Sequence, residues 1–310
     1  MSTAAQDSYP EMTPYGAKYV APDGLGASAR AAILRGARRF GRLTSHQRIK
    51  PEYLIIGTKR GGTTSLARWL LEHPDVGSLW PSRETRKGTY YFDVNYGKGQ
   101  DWYLSHFPTR IAHSIHERRT GHHITVGEAT PYYLHHPHAP MRARRLLPDV
   151  KVIALIRNPM ERAYSHWVER TRNGVETLSF PDAIRAEAAR LAGEEQKMLD
   201  DPSYVSFAHQ HFSYVDQGRY ARGLRRWLKA YPSDQVLIIR SEDLYADPAV
   251  AYQQVLDFLD LRDHTPESFA AWNMKPKEPI DEAIMVELQE LLKDDIIELE
   301  TLLDRKLNWN

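Results

Sequence analysis

Short apolar runs alternate with amphipathic stretches along residues 51–310, and this pattern predicts a parallel sheet. Continuous apolar runs that end in polar residues are typical of strands buried on both faces. Stretches with apolar positions three and four residues apart, which predict helices, separate these runs. The expected fold class is therefore α/β, with helices on both faces of the sheet. The predicted strands cover 53–56, 152–156 and 235–239, with a shorter run that ends at Val126.

The same pattern predicts helices behind two strands and at the end of the chain. One helix covers 63–72 and stops at His73-Pro74, and another starts at about Glu161. The last extends from Asp281 to about Asp304. Its apolar residues share one face, which indicates core packing rather than a cofactor site: Ile284, Leu288, Leu291, Leu292, Ile296, Leu299, Leu302 and Leu303.

Composition narrows the function classes. The 41 Lys and Arg residues balance 40 Asp and Glu residues, which argues against a general nucleic-acid binder. The absence of cysteine excludes disulfides, Cys-ligated zinc and thiol chemistry. The chain starts without a secretory signal pattern and contains no apolar run of about 20 residues. We therefore expect a cytoplasmic protein without an integral membrane segment.

The first 50 residues differ from the rest and predict a flexible, basic N-terminal extension before a domain over 51–310. Residues 1–24 are polar with several Pro and Gly, and residues 25–50 contain seven Lys or Arg and no acidic residue. A solvated or loosely docked arm is the favoured interpretation, because Gly36 and Gly41 interrupt the helical pattern. A helix that binds a membrane surface or a partner is the alternative.

The first candidate site follows the strand at 53–56. Two adjacent glycines, Gly61 and Gly62, allow backbone N–H groups to approach an anion at the start of a helix. Lys59 and Arg60 add positive charge, and hydroxyls follow at Thr63, Thr64 and Ser65. The pattern approaches GxxxxGK[ST], but Thr63 replaces the lysine that a nucleoside triphosphatase needs. A phosphate site is favoured over a simple Gly-rich turn. A nucleotide kinase or NTPase is disfavoured and stays the alternative.

The second candidate site follows the strand at 152–156. Arg157 ends that strand, Asn158-Pro159 turns the chain into a helix, and Arg162 and Ser165 can reach back towards the strand end. A guanidinium and a hydroxyl suit a second phosphate. The alternative is that Arg157 pairs with a nearby carboxylate.

Together these segments resemble a known family. IIGTKRGGTTSL and ALIRNPMERAYSHW are similar to the two donor-binding motifs of sulfotransferases that use 3′-phosphoadenosine 5′-phosphosulfate (PAPS), particularly the bacterial and heparan-sulfate-type branch. The resemblance extends over 51–310 and includes GRYARGLRRWLKAYPSDQVLIIRSEDLYADP, FLDL and LNW. It implies a single P-loop-like domain, PAPS as co-substrate, 3′-phosphoadenosine 5′-phosphate (PAP) as product, and no metal.

The resemblance also implies roles for residues. The 5′-phosphosulfate would lie on residues 60–65, and the 3′-phosphate on Arg157 and Ser165. A late basic loop would close over the donor through Lys275 or Lys277. The family's lysine before the glycine pair is here Arg60, which stays charged and cannot donate a proton. We assign Arg60 an electrostatic catalytic role, with Lys59 as the alternative.

A second departure concerns the base. Gly88 stands where the family often has a glutamate that deprotonates the acceptor. Glu128 is the first replacement candidate, although it could equally be a structural ion-pair partner. The other candidates are Glu84, Tyr90, His135 and His136. The missing glutamate also leaves open a catalytically silent donor-binding protein.

The acceptor and the assembly stay open at this level. The histidine pairs at 122–123 and 135–136 have no carboxylate at typical ligand spacing, so we expect no metal site. The sequence predicts sulfuryl transfer to a hydroxyl or amine of a saccharide or small molecule. A lipid-linked glycan, a phenol and a small metabolite fit equally well, and no oligomeric state is indicated.

Overall fold

A five-stranded parallel sheet forms the centre of the protein. The structure is a computed structural model and describes residues 36–80, 88–272 and 279–309. The strand order is β2-β3-β1-β4-β5, and every pairing is parallel. The strands are β1 (Tyr53–Gly57), β2 (Val76–Gly77), β3 (Thr125–Ala129), β4 (Lys151–Ile156) and β5 (Val236–Arg240). The strands predicted at 53–56, 152–156 and 235–239 are confirmed to within one residue at each end, whereas the run predicted to end at Val126 continues to Ala129 as β3. The two-residue β2 was not predicted, because it is too short to create a pattern.

Alternate residues of β1 point into two different hydrophobic cores. Leu54 and Ile56 belong to one core, and Tyr53 and Ile55 belong to the other. Helices supply the remaining residues of each core, so both faces of the sheet are covered. This arrangement explains the continuous apolar strand sequences and confirms the predicted α/β fold class.

Residues 36–43 are helical, and twelve further α-helices surround the sheet in the described part of the chain. They are α1 (Thr63–Glu72), α2 (Gln100–Leu104), α3 (Arg110–Thr120), α4 (Ala139–Leu146), α5 (Pro159–Arg172), α6 (Phe180–Leu191), α7 (Glu194–Asp200), α8 (Phe207–His211), α9 (Tyr220–Ala230), α10 (Ser241–Ala246), α11 (Pro248–Leu259) and α12 (Glu282–Leu303). Helices α1 and α11 cover one face of the sheet, while α4 and α9 cover the other.

Capping residues set the helix ends. Helix α5 begins two residues before its predicted start, because the Asn158 side chain accepts hydrogen bonds from the N–H groups of Met160 and Glu161. Helix α12 lies within one residue of its predicted ends. The predicted apolar face of α12 is wrong at Leu291, whose side chain is exposed, whereas Leu292 is fully buried.

The end of the basic extension packs against the sheet domain. Arg48 is buried, and its guanidinium donates a hydrogen bond of 2.5 Å to the carbonyl of Phe107 and lies over the Trp80 ring. At this residue the extension is docked on the sheet domain, as the docked form of the favoured interpretation expects. The segment predicted to lack fixed structure, 1–24, lies outside the described residues.

The strand order determines where a ligand can bind. The chain leaves β1 towards β2 on one side, and leaves β4 towards β5 on the other side. Strands β1 and β4 are neighbours, so their connections diverge and open a crevice at the carboxyl edge of the sheet. Both candidate motifs begin at this crevice.

Candidate active site

The loop between β1 and α1 has an unusual backbone. Arg60 has φ 71° and Gly62 has φ 90°, both in the left-handed region that non-glycine residues rarely adopt. Gly62 caps α1, so the first N–H groups of the helix face the crevice edge. Ser241 on α10 holds the loop by donating a 2.6 Å hydrogen bond to the carbonyl of Gly61. The loop can therefore present backbone donors and a helix dipole to an anion.

The two predicted anion motifs meet directly. The Nε atom of Arg60 donates a 3.0 Å hydrogen bond to Oγ of Ser165, which lies on α5. The guanidinium of Arg157, at the end of β4, donates to the carbonyl of Arg60 over 3.3 Å. The sequence alone predicted each motif separately, and the β1–β4 pairing brings Arg60, Arg157 and Ser165 together.

Arg157 also pairs with a nearby carboxylate, as the alternative interpretation of this motif predicted. It forms an ion pair with Glu161, which lies four residues later in the first turn of α5. Because both groups are partly exposed, such a pair stabilises the fold by at most about 1 kcal/mol. A phosphate can therefore replace the Glu161 carboxylate at little cost.

Arg162 departs from its prediction. Its side chain is fully buried and donates to the carbonyl of Tyr214 rather than reaching towards the end of β4. Residue 162 lies three positions before Ser165, and its side chain follows the inner face of α5. Arg162 therefore anchors the segment before α9 instead of completing the second motif.

Lys59 points into the protein rather than along the crevice. It is buried, and its Nζ atom donates a 3.1 Å hydrogen bond to the carbonyl of Gln210 on α8. Burial, followed by the positive charge of Arg170, lowers the pKa of Lys59 well below its usual value. Of the two adjacent cations, Arg60 is thus the one whose side chain reaches Ser165.

Sequence reasoning missed a carboxylate at this site. Glu169 lies four residues after Ser165, so both side chains share one face of α5. Its Oε1 atom is 3.8 Å from a guanidinium nitrogen of Arg60, and its Oε2 atom is 3.5 Å from one of Arg170. The i, i+4 spacing from Ser165 is the signal that could have identified it.

Glu128, the predicted base, lies on β3 inside the protein. Its carboxylate accepts hydrogen bonds from N–H and Oγ1 of Thr89, at 2.5 and 2.7 Å, and from the hydroxyls of Thr130 and Tyr133, both at 3.1 Å. The residue is 2% exposed. Burial raises the pKa of this carboxyl, and the donors, Thr89 first, oppose that shift. Glu128 thus holds the segment at Thr89 against the end of β3.

The segment that Glu128 holds begins at Gly88, and it leaves no room for a side chain there. A Cβ atom on Gly88 would lie 2.3 Å from the carbonyl oxygen of Ala129 and 2.4 Å from Oγ1 of Thr130. The close backbone approach therefore requires glycine at this position.

Three of the remaining base candidates, Tyr90, His135 and His136, lie among the described residues. Burial, with the negative charge of Asp93 next, raises the pKa of Tyr90, which keeps its phenol protonated. Burial lowers the pKa of both His135 and His136 well below the usual value, so both rings are neutral and weakly basic. Glu84, Lys275 and Lys277 lie outside the described residues.

Two histidine–carboxylate groups form where the sequence spacing did not indicate them. His123 lies 2.9 Å from Glu52, and His135 lies 3.3 Å from Asp216. The three-residue groups are Glu52, His113 and His123, and His135, His209 and Asp216. Arg222 binds both oxygens of Asp216, at 3.1 and 2.9 Å, so a cation there would meet a guanidinium that already neutralises the carboxylate. The expected lack of a metal stays a prediction.

Within the described residues, no helix has the length and apolar character needed to cross a membrane.

The chain is similar to proteins of known family. A family model described as "Sulfotransferase domain" matches residues 50–280. The heparan sulfate glucosamine 3-O-sulfotransferase 3A1 of Mus musculus is 31% identical over 78% of this chain and 54% of its own length. The membrane-associated sulfotransferase kil1 of Dictyostelium discoideum is 25% identical over 84% of this chain and 66% of its own length.

Further relatives extend the comparison. The bifunctional heparan sulfate N-deacetylase/N-sulfotransferase 3 of Homo sapiens is 32% identical over 69% of this chain but only 23% of its own length. The chain therefore spans between about a quarter and two thirds of these curated relatives. The crystal structure of a sulfotransferase from Alicyclobacillus acidocaldarius superposes with a TM-score of 0.61 and 26% identity, over 84% of this chain and 99% of that one.

Proposed function

The chain belongs to the sulfotransferase family, and on that premise we propose that it transfers a sulfuryl group from PAPS by in-line displacement. The acceptor is a hydroxyl or amine of a saccharide or small molecule. One observation carries the donor assignment: Arg60 contacts Ser165 over 3.0 Å, while Arg157 contacts the carbonyl of Arg60. These two contacts bring both anion-binding motifs to the same crevice. A donor with two separate phosphate groups requires such an arrangement.

The proposed donor contacts follow from this arrangement. The 5′-phosphosulfate lies on residues 60–65, where the Gly62 cap exposes the first N–H groups of α1. The 3′-phosphate lies on Arg157 and Ser165, where it replaces the Glu161 carboxylate as the partner of Arg157. Lys275 or Lys277, which lie outside the described residues, is the proposed further contact to the donor.

Arg60 is the proposed electrostatic catalyst. Sulfuryl transfer, like phosphoryl transfer, passes through a loose transition state in which the leaving phosphate oxygen gains negative charge. A guanidinium at that position stabilises this charge and does not supply a proton. Lys59 is the alternative cation for this role, acting from its buried position in the same loop.

The domain assignment and the location are part of the same proposal. Residues 51–310 form the sulfotransferase domain and residues 1–50 a basic extension, with the end of the extension docked through Arg48. We propose a cytoplasmic enzyme that needs no metal, although one relative is described as membrane-associated.

A ligand comparison tests the donor assignment. Thermal unfolding is measured with PAP, with Mg·ATP and without ligand. PAP at 100 times its Kd should raise the stability by about 2.7 kcal/mol, and Mg·ATP should have little effect. Transfer from ³⁵S-labelled PAPS to phenols, sugars and amines then identifies the acceptor class. Stabilisation by Mg·ATP alone would refute the proposal, and PAP binding without transfer to any acceptor class would indicate a silent donor-binding protein.

A further inference from the structure

The proposed reaction needs a group that removes the acceptor proton, and the structure limits the choice. A glutamate at position 88 would collide with the carbonyl of Ala129, as the 2.3 Å approach to a Cβ atom shows. Position 88 therefore cannot carry the base, and among the described residues the base must be another carboxylate or imidazole that reaches the crevice.

Glu128 is poorly placed to exchange protons with an acceptor. Four hydrogen-bond donors surround its carboxylate, and the residue is 2% exposed. An acceptor would have to displace the Thr89 or Tyr133 contacts to reach it. These contacts instead fix the close approach of Gly88 to β3.

Glu169 is better placed than Glu128, because it lies on α5 beside the loop that follows β1. It shares a helix face with Ser165, and its carboxylate is 3.8 Å from the Arg60 guanidinium. Its side chain is 15% exposed, so it remains accessible from solvent. The proposed sulfuryl-binding loop and this carboxylate are therefore direct neighbours.

We propose that Glu169 is the general base that deprotonates the acceptor, an inference that rests on the proposed function. The acceptor oxygen or nitrogen attacks sulfur on the side opposite the bridging oxygen, and a new bond to sulfur forms. The bond from sulfur to the bridging oxygen breaks, and its electron pair stays on the 5′-phosphate of PAP beside Arg60. The acceptor proton moves to a carboxylate oxygen of Glu169 and later to water.

The position of Glu169 between two arginines also has a consequence for the order of events. In the absence of donor, its carboxylate lies beside Arg60 and Arg170. A bound phosphosulfate supplies Arg60 with a second anionic partner, which weakens the hold of Arg60 on Glu169. Donor binding thus prepares the base for the acceptor.

The test compares Glu169→Gln with the wild-type protein and with two other glutamate variants. Calorimetry gives the Kd for PAP, and ³⁵S transfer from PAPS gives kcat for phenols of graded acidity and for a sugar alcohol. Glu169→Gln should bind PAP within about threefold of wild type and lose about 100-fold or more in kcat. The loss should shrink for the more acidic phenols, since these ionise without a base.

The control variants separate this role from a structural one. Glu117→Gln alters a glutamate that is also ion-paired but lies on α3, and it should leave kcat unchanged. Glu128→Gln should lower the stability of the protein. The protein that remains folded should show the same dependence of kcat on acceptor acidity as the wild type. If Glu169→Gln binds PAP more weakly, the variant Glu169→Asp distinguishes a base role from a positioning role. A base role predicts slow transfer with normal PAP affinity, and a positioning role predicts normal kcat.

Two results would overturn the assignment. One is a Glu169→Gln protein with kcat within threefold of wild type. The other is a folded Glu128→Gln protein that binds PAP normally and shows the loss expected for Glu169. A wild-type protein that neither binds PAP nor transfers sulfate contradicts the proposed function itself, and is thereby distinguished from both.

Discussion

Replacing Gly88 by alanine tests why this chain lacks the glutamate that the family often has. The new Cβ atom would lie 2.3 Å from the Ala129 carbonyl oxygen, about 1 Å inside ordinary contact distance. That carbonyl belongs to the end of β3, where the next residue, Thr130, donates a 2.9 Å hydrogen bond to Ile55. The oxygen therefore cannot withdraw without disturbing the sheet.

The expected cost follows from this geometry. Forcing an extra methyl group into a well-packed site destabilises proteins by about 1–3 kcal/mol. Relief of the clash would also move Thr89 away from Glu128 and weaken two of its hydrogen bonds. We expect Gly88→Ala to lower the free energy of unfolding by about 1–3 kcal/mol, and Tm by several °C.

Urea unfolding followed by circular dichroism measures the change, and Gly97→Ala is the matched control. A Cβ atom on Gly97 meets nothing within 4 Å, so that variant should change the stability by less than about 0.5 kcal/mol. Equal stability of the two variants would refute the reasoning. The segment would then yield easily, and steric exclusion would not explain the missing glutamate.

The remaining predictions concern the donor site, pH and the core. Arg157→Ala should weaken PAP binding by about 2 kcal/mol or more, roughly 30-fold in Kd by calorimetry, with no change for the exposed Arg185→Ala; equal affinities would contradict the 3′-phosphate assignment. Burial raises the pKa of Asp93 to about 8. The folded state therefore keeps a proton that the unfolded chain loses above about pH 4, and stability should fall as pH rises towards 8. Asp93→Asn should make the decrease in Tm between pH 6.5 and 8 shallower, and an unchanged slope would count against the raised pKa. Leu292→Ala should cost about 2–5 kcal/mol in urea unfolding and Leu291→Ala less than 1, because only Leu292 is buried; similar losses would disprove the helix orientation.

Local sequence predicted the four longer strands and the helices α1, α5 and α12, since each of these elements has a clear short-range pattern. The continuous apolar runs at β1 and β4 have that character because both faces of these strands are covered. The Leu291 prediction was wrong for a tertiary reason. The 3-and-4 spacing is compatible with a broad apolar face, and the neighbouring elements decide which part of it becomes buried.

The candidate site divides in the same way. The sequence by itself determined the chemical groups of the donor loop: the glycine pair, the two cations and the hydroxyls at 63–65. Only the tertiary structure decided that Arg60, rather than Lys59, meets Ser165, since one side chain of an adjacent pair turns inwards to Gln210. It also placed Glu128 in the interior and Glu169 at the crevice. Residues such as Arg60 and Glu169 lie more than 100 positions apart, and only the packing of α5 beside the loop after β1 brings them into contact.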